Sequence, residues 1–148
     1  MKYQSGRLGR VFLIQLEHGD DVIKDISRVA VKEDIASAVI LLIGALKQGL
    51  MVLGPRECIV PPEGMEHYFD DGREIAAIGT LFRDGEGNPA LHIHGAAGRG
   101  NSSIAGCLRQ DLEVYLMVEA VVLELEGIAA RRLLDPYLQV KALSLEGD

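Results

Sequence analysis

Aromatic side chains, cysteine and long apolar runs are all scarce in this sequence. Tryptophan is absent and aromatic residues make up 5% of the 148 positions, so the core has to be built from aliphatic side chains. Two cysteines, Cys58 and Cys107, are too few for a disulfide framework and favour reduced thiols. No apolar run approaches the ~18 residues of a membrane span, and residues 1–7 lack the apolar segment of a secretory signal. These absences predict a cytoplasmic protein with no membrane partner.

Positive charge is scarce as well. The chain has 15 Lys and Arg against 22 Asp and Glu, which gives a net charge of −7. Binding to the phosphate backbone of DNA needs a concentration of cations. A local basic patch can still form, but the overall charge weighs against a chain that binds DNA without a partner.

Apolar residues make up 48% of the chain, which is enough for a substantial core in one domain spanning residues 1–148. Apolar spacing after the N-cap candidate Asp20 predicts a helix over 21–31. Gln48-Gly49 is interpreted as a turn or bulge, and residues 84–89 as the turn of a hairpin. The predicted strands are 10–16, 37–46, 50–53, 74–82, 90–94, 114–126 and 138–143. About seven strands with one or two helices predict an α+β fold around a mostly antiparallel sheet.

A candidate metal site lies near the middle of the chain. His92 and His94 are two residues apart, so on a strand they project from the same face at a spacing of about 6.5–7 Å. Cys107 follows a Gly-rich segment, residues 95–106, which we interpret as a loop with room for one more short strand. A hairpin would bring its sulfur to the two imidazoles. Two histidines and one thiolate suit zinc and leave a fourth position for water or another ligand.

Each candidate also has a purely structural interpretation. The two histidines can be polar residues on a solvent-facing strand, and Cys107 can be a packed core thiol. Glu119, in an otherwise apolar strand, is either a partner that orients a histidine, a fourth ligand, or a carboxylate at the rim. Arg99, in the Gly-rich segment, is a candidate contact for an anion near the metal.

Seven short motifs in order resemble the PPC family, the "plants and prokaryotes conserved" domain. The Pro-x-x-His-x-His strand of that family is similar to residues 89–94, and its Gly-Gly-His-Leu motif is similar to residues 105–108. The other matching segments are 9–13, 17–22, 43–46, 74–80 and 118–120.

The resemblance implies a compact α+β fold assembled as a homotrimer. In several prokaryotic members three histidines hold a metal, usually interpreted as zinc; by position His92 and His94 match the first two, and Cys107 replaces the third. Such relatives are customarily described as predicted DNA-binding proteins, and the fold is related to the metal enzyme acetolactate decarboxylase. We therefore expect a zinc-binding trimer with a binding or regulatory role. A metal-dependent enzyme for a small anionic substrate and a metal-free structural trimer are the alternatives.

Overall fold

One α-helix and eight β-strands make up the computed structural model, which describes residues 1–145. The elements are β1 (Arg7–Glu17), α1 (Val22–Lys32), β2 (Ser37–Pro55), β3 (Gly64–Phe69), β4 (Arg73–Asp84), β5 (Pro89–Arg99), β6 (Ser102–Glu126), β7 (Ala130–Leu134) and β8 (Lys141–Leu145). All strand pairs in this part of the chain are antiparallel except β4 with β7. The predicted α+β class with a mostly antiparallel sheet is confirmed.

The helix begins and ends where its sequence provides the right groups. The N-cap is Asp21, whose side chain accepts a hydrogen bond from the Lys24 backbone amide, and Lys32 complements the helix dipole in the last turn. The prediction that Asp20 caps the helix is wrong by one residue, because its carboxylate accepts from the Glu17 amide instead. Within the described residues, no helix is long and apolar enough to span a bilayer.

Four strands close into a hydrogen-bonded ring. β2 pairs with both β6 and β4, and β5 pairs with the other edges of these two strands. Alternate residues on the ring enter a core of aliphatic side chains, onto which α1 packs Val22, Ile26 and Ala30. Phe69 is the one aromatic residue in that buried cluster among the described residues, in keeping with the composition.

The Gly-rich segment is not a loop, and that prediction is wrong. β5 continues to Arg99 and β6 begins at Ser102, so only a two-residue turn separates the strands. Gly95 and Gly106 lie opposite each other in the β5–β6 pair. A Cβ atom at Gly106 would overlap the Val52 carbonyl oxygen on β2, so glycine is needed for the close approach of the two strands.

The other differences from the predicted elements concern the course of β2, two additional strands and the start of the final strand. β2 continues through residues 48–49 with shifts in register there, as in the predicted bulge, rather than turning. β3 and β7 were not predicted, and the final strand begins at Lys141 rather than at residue 138. β7 and β8 form a hairpin that joins the sheet through β4.

The outer surface of the sheet, on the ring and on the adjoining strand β1, carries an apolar patch. Val11, Leu13, Leu41, Ile43 and Ile78 are 41–76% exposed, and we call them the outer apolar face. One cross-strand row contains Leu13, Leu41 and Ile78. Leu13 and Leu41 have the same partner residue on β6, and Leu41 pairs directly with Ile78. The row continues to residues 94 and 107, so the candidate metal site is on the same side of the sheet.

Candidate metal centre

The β5–β6 hairpin brings the three predicted ligands together. His92 and His94 lie on the exposed face of β5, while Ile93 between them is fully buried in the core. Cys107 on β6 is directly opposite His94 in the strand register. The ligand atoms of the three side chains lie within 4.8 Å of one another. The pairing of the two strands therefore creates a cluster that the sequence spacing alone could only suggest.

The two imidazoles are already close to the spacing that zinc requires. The His92 and His94 Nε2 atoms are 3.0 Å apart, and their rings meet edge to face at 84°. Tetrahedral zinc with bonds of about 2.0–2.1 Å to nitrogen and about 2.3 Å to sulfur would place its ligand atoms roughly 3.3–3.6 Å apart. Around such an ion the two nitrogens would move apart by about 0.3 Å, and the longest separation in the cluster would shorten by roughly 1.2 Å.

Cys107 is buried, but it does not belong to the main core. Its side chain is 4% exposed. The cluster of buried core residues nevertheless includes its strand neighbour Leu108 and does not include Cys107. Successive residues of a strand face opposite sides, so the thiol lies on the side of the histidines. The nearest hydrogen-bond acceptor of its sulfur is the Leu108 carbonyl oxygen, at 3.8 Å.

Burial and nearby charges shift the pKa values of His92 and Cys107. Burial lowers the pKa of His92, and the charges of Arg132, His94 and Arg109 lower it further, so the ring stays neutral with a free lone pair. Burial raises the pKa of the Cys107 thiol, and the two arginines oppose that shift. A metal ion would therefore displace the thiol proton when it binds.

Neither arginine was among the site residues predicted from the sequence. Arg109 follows Cys107 by two residues and lines the same groove, at a shift in register between β6 and β2. Arg132 comes from β7, which is distant in sequence and reaches the site only through the β4–β7 pair. The groove has a volume of about 580 Å³ and is also lined by His94, Gln110 and Glu66.

Two further predicted residues lie elsewhere on the sheet. Arg99 is at the far end of β5, where its Nη1 donates a hydrogen bond to the Gly72 carbonyl oxygen at 3.3 Å. Arg99 and Asp71 line a separate cleft there. Glu119 is exposed on β6, paired in register with Gln15 and Ile43. The structure does not bring either residue into the His/His/Cys cluster.

Comparison with known proteins identifies the family. Residues 3–126 match the Plants and Prokaryotes Conserved (PCC) domain, the family that the motifs resemble. The chain belongs to this family. No curated protein matches the sequence.

Solved structures show the same fold. A metal-containing protein from Archaeoglobus fulgidus superposes with a TM-score of 0.85 at 24% identity, covering 97% of this chain and 99% of that one. A plant- and prokaryote-conserved protein from Pyrococcus horikoshii gives 0.82 at 22% identity, with 99% and 100% covered. A "putative DNA-binding protein" from Ralstonia eutropha gives 0.75 at 24% identity, with 90% of each chain covered. Proteins described as metal-containing and as "putative DNA-binding" thus share this architecture.

Proposed function

We propose that this PPC-domain protein binds one zinc ion, or another divalent transition metal, per subunit through His92, His94 and Cys107. The observation that carries the proposal is the convergence of two imidazoles and one thiol within 4.8 Å on one side of a hairpin. The description of the Archaeoglobus relative as metal-containing supports it. The protein works as a homotrimer in a binding or regulatory role, and a reducing cytoplasm keeps the Cys107 thiol available for the metal.

The metal content of the purified protein tests this proposal. We expect about one zinc per subunit by mass spectrometry, without added metal, because zinc at a three-ligand site of this type is held tightly. Cys107→Ala should lose the ion, while Cys58→Ala, which removes the exposed cysteine, should keep it. An apo protein that takes up no zinc on incubation would leave a metal-free structural trimer.

An enzymatic role is the second candidate. Three protein ligands leave one zinc position for water, whose pKa can fall to about 7. The groove that reaches His94 and Cys107 gives a small molecule access to that position. Such a site would act on a small anionic substrate, because Arg109 lines the same groove. A solvent ligand on the bound metal, seen by X-ray absorption spectroscopy, would favour this role over a closed regulatory site.

DNA association is the partner function suggested by the descriptions of two structural relatives as "putative DNA-binding protein". The charges of this chain oppose it, because many of its described cations already pair with carboxylates, among them Arg7, Arg10, Lys47, Arg56 and Arg73. We expect the protein alone to retard duplex DNA only weakly. This retardation should vanish between about 50 and 200 mM salt, because binding through phosphate contacts weakens steeply over roughly that range. Strong retardation at low salt that weakens steeply as salt rises, the behaviour of a true phosphate binder, would contradict this expectation and would favour DNA as a direct ligand.

A further inference from the structure

Arg132 is a buried cation beside the candidate metal centre. It lies on β7, beyond residue 126 where the family match ends, and is only 7% exposed. Its Nη2 donates a hydrogen bond to the Thr80 hydroxyl oxygen at 2.7 Å. Its guanidinium carbon lies 5.9 Å from the centre of the buried Phe82 ring. These contacts fix the side chain against the outer face of β4.

The charge of Arg132 is not compensated within residues 1–145. Its one hydrogen bond goes to a neutral hydroxyl, and no carboxylate in this part of the chain forms an ion pair with it. Its Nε is the one buried side-chain nitrogen or oxygen there that has no hydrogen-bond partner. Arginine does not lose its proton to relieve such a charge. A buried guanidinium with no charged partner among residues 1–145 therefore calls for a partner outside these described residues.

The uncompensated cation faces the histidine pair. Thr80 pairs directly with His92 across β4 and β5, so their side chains are neighbours on one face, at a Cβ spacing of about 4.5–5.5 Å. Cys107 is on the adjacent rung, opposite His94. Arg109 adds a second guanidinium on the Cys107 side, where Glu66 is the acidic residue that lines the groove. A divalent ion held by two imidazoles and one thiolate would add a further positive charge.

We propose that Arg132, together with Arg109, binds a small oxyanion, a carboxylate or a phosphate group, next to the His92/His94/Cys107 cluster. The planar fork of N–H donors in arginine matches two oxygens of such a group, and the low dielectric of a buried site strengthens the contact. This inference rests on the proposed metal site for its biological meaning, because the anion would be the ligand or substrate presented to the metal. The contact itself depends only on Arg132 and its surroundings.

Calorimetric titration of the zinc-loaded and the zinc-free protein with inorganic phosphate tests the proposal. Arg132→Gln should weaken phosphate binding roughly tenfold or more, because a charge-assisted fork is lost. Arg131→Gln is the matched control, since it removes the same charge from an exposed neighbour on β7, and it should bind as the wild type does. Sodium acetate in place of phosphate shows whether the site prefers carboxylate or phosphate.

The outcomes separate this proposal from the metal proposal. Zinc content should be the same in the wild type and in Arg132→Gln, because Arg132 is not a ligand. Arg132→Lys keeps the positive charge but not the fork; it should fold even if the Gln variant does not, and it should still bind phosphate more weakly than the wild type. The anion site would be overturned if Arg131→Gln and both Arg132 variants bound phosphate with equal affinity. It would also be overturned if neither anion gave a heat of binding with the zinc-loaded or the zinc-free protein. Absence of zinc with intact, Arg132-dependent phosphate binding would overturn the metal site alone.

Discussion

At the scale of single residues, the ion pair between Arg10 and Glu124 alters the titration of a carboxylate. Arg10 Nε and Nη2 reach the two carboxylate oxygens of Glu124 at 2.7 and 2.9 Å, and the Arg10 amide donates to the same group. Hydrogen bonding by the Arg10 side chain lowers the pKa of Glu124 below its usual 4.5. The pair joins β1 to the end of β6, so it fastens the N-terminal strand to the sheet.

We expect the stabilising effect of this pair to depend on pH. A carboxylate with a lowered pKa in the folded state stabilises the protein above its unfolded pKa, and the effect is lost as pH falls through the folded pKa. Glu124→Gln should therefore lower Tm by roughly 2–4 °C at pH 7, and the difference from the wild type should shrink below about pH 4.

Glu126→Gln is the control for that experiment. Glu126 pairs with Arg7 on the same two strands, but the Arg7 side chain is 82% exposed, so solvent screens the pair. Its Tm should stay close to that of the wild type at both pH values. A loss of Tm as large as that of Glu124→Gln would show that the Arg10 fork has no special role.

The residue scale also shows which part of the site a sequence can reveal. His92 and His94 are predictable because a period of two is a local property of a strand. The position of Cys107 opposite His94 requires the register of the hairpin, which the motif resemblance supplied in part. Arg132 carries no local signal at all, because its place in the site arises from a parallel contact between β4 and β7 that is set by the whole fold.

At the scale of elements, Gly106 controls the approach of β6 to β2. We expect Gly106→Ala to destabilise the fold by about 3 kcal/mol, since the added methyl group would overlap backbone rather than a flexible side chain. The shift of β6 should also displace the adjacent Cys107, so zinc content should fall in the variant where it remains folded. Thermal denaturation and metal analysis of the same sample measure both effects.

Gly98→Ala is the matched control on the neighbouring strand. The nearest atom to a Cβ there would be the Ser102 carbonyl oxygen at 3.8 Å, an ordinary contact. Its stability should change by no more than about 0.5 kcal/mol. If Gly106→Ala were equally neutral, the close approach of β6 to β2 would not need a glycine.

The errors in the element predictions have a common physical origin. Glycines at 95, 98, 100 and 106 lower the strand propensity of their segment, and a local analysis interprets that composition as a loop. The structure instead uses Gly95 and Gly106 where neighbouring strands leave no room for a side chain. β1, α1, β4 and the turn at residues 84–89 were predicted well because their patterns are local and periodic.

At the scale of the whole molecule, the outer apolar face is the surface that we expect the proposed homotrimer to bury. Ile43 and Ile78 are each 58% exposed near the middle of the sheet, where an unpartnered apolar patch would otherwise contact water. Ile43→Lys should convert the trimer to monomers in sedimentation equilibrium. Because all three proposed ligands come from one chain, the monomer should keep its zinc.

The control places the same substitution on the helix. Val31 is 60% exposed, nearly the same as Ile43, but it lies on α1 away from the sheet face. Val31→Lys should therefore remain trimeric. If the Val31 variant dissociated while the Ile43 variant stayed trimeric, the interface would lie on the helix instead. A monomeric wild type would rule out the trimer itself.

The pairing of β1 with β6 has a consequence for the nascent chain. Residues 8–17 find their partners among residues 117–125, so β1 leaves the ribosome about 100 residues before the strand with which it pairs. The hairpin that carries His92, His94 and Cys107 closes over a short stretch of sequence, by contrast, and needs only a two-residue turn. Because local contacts form faster than distant ones, we expect the ligand cluster to assemble during translation and the N-terminal strand to dock last.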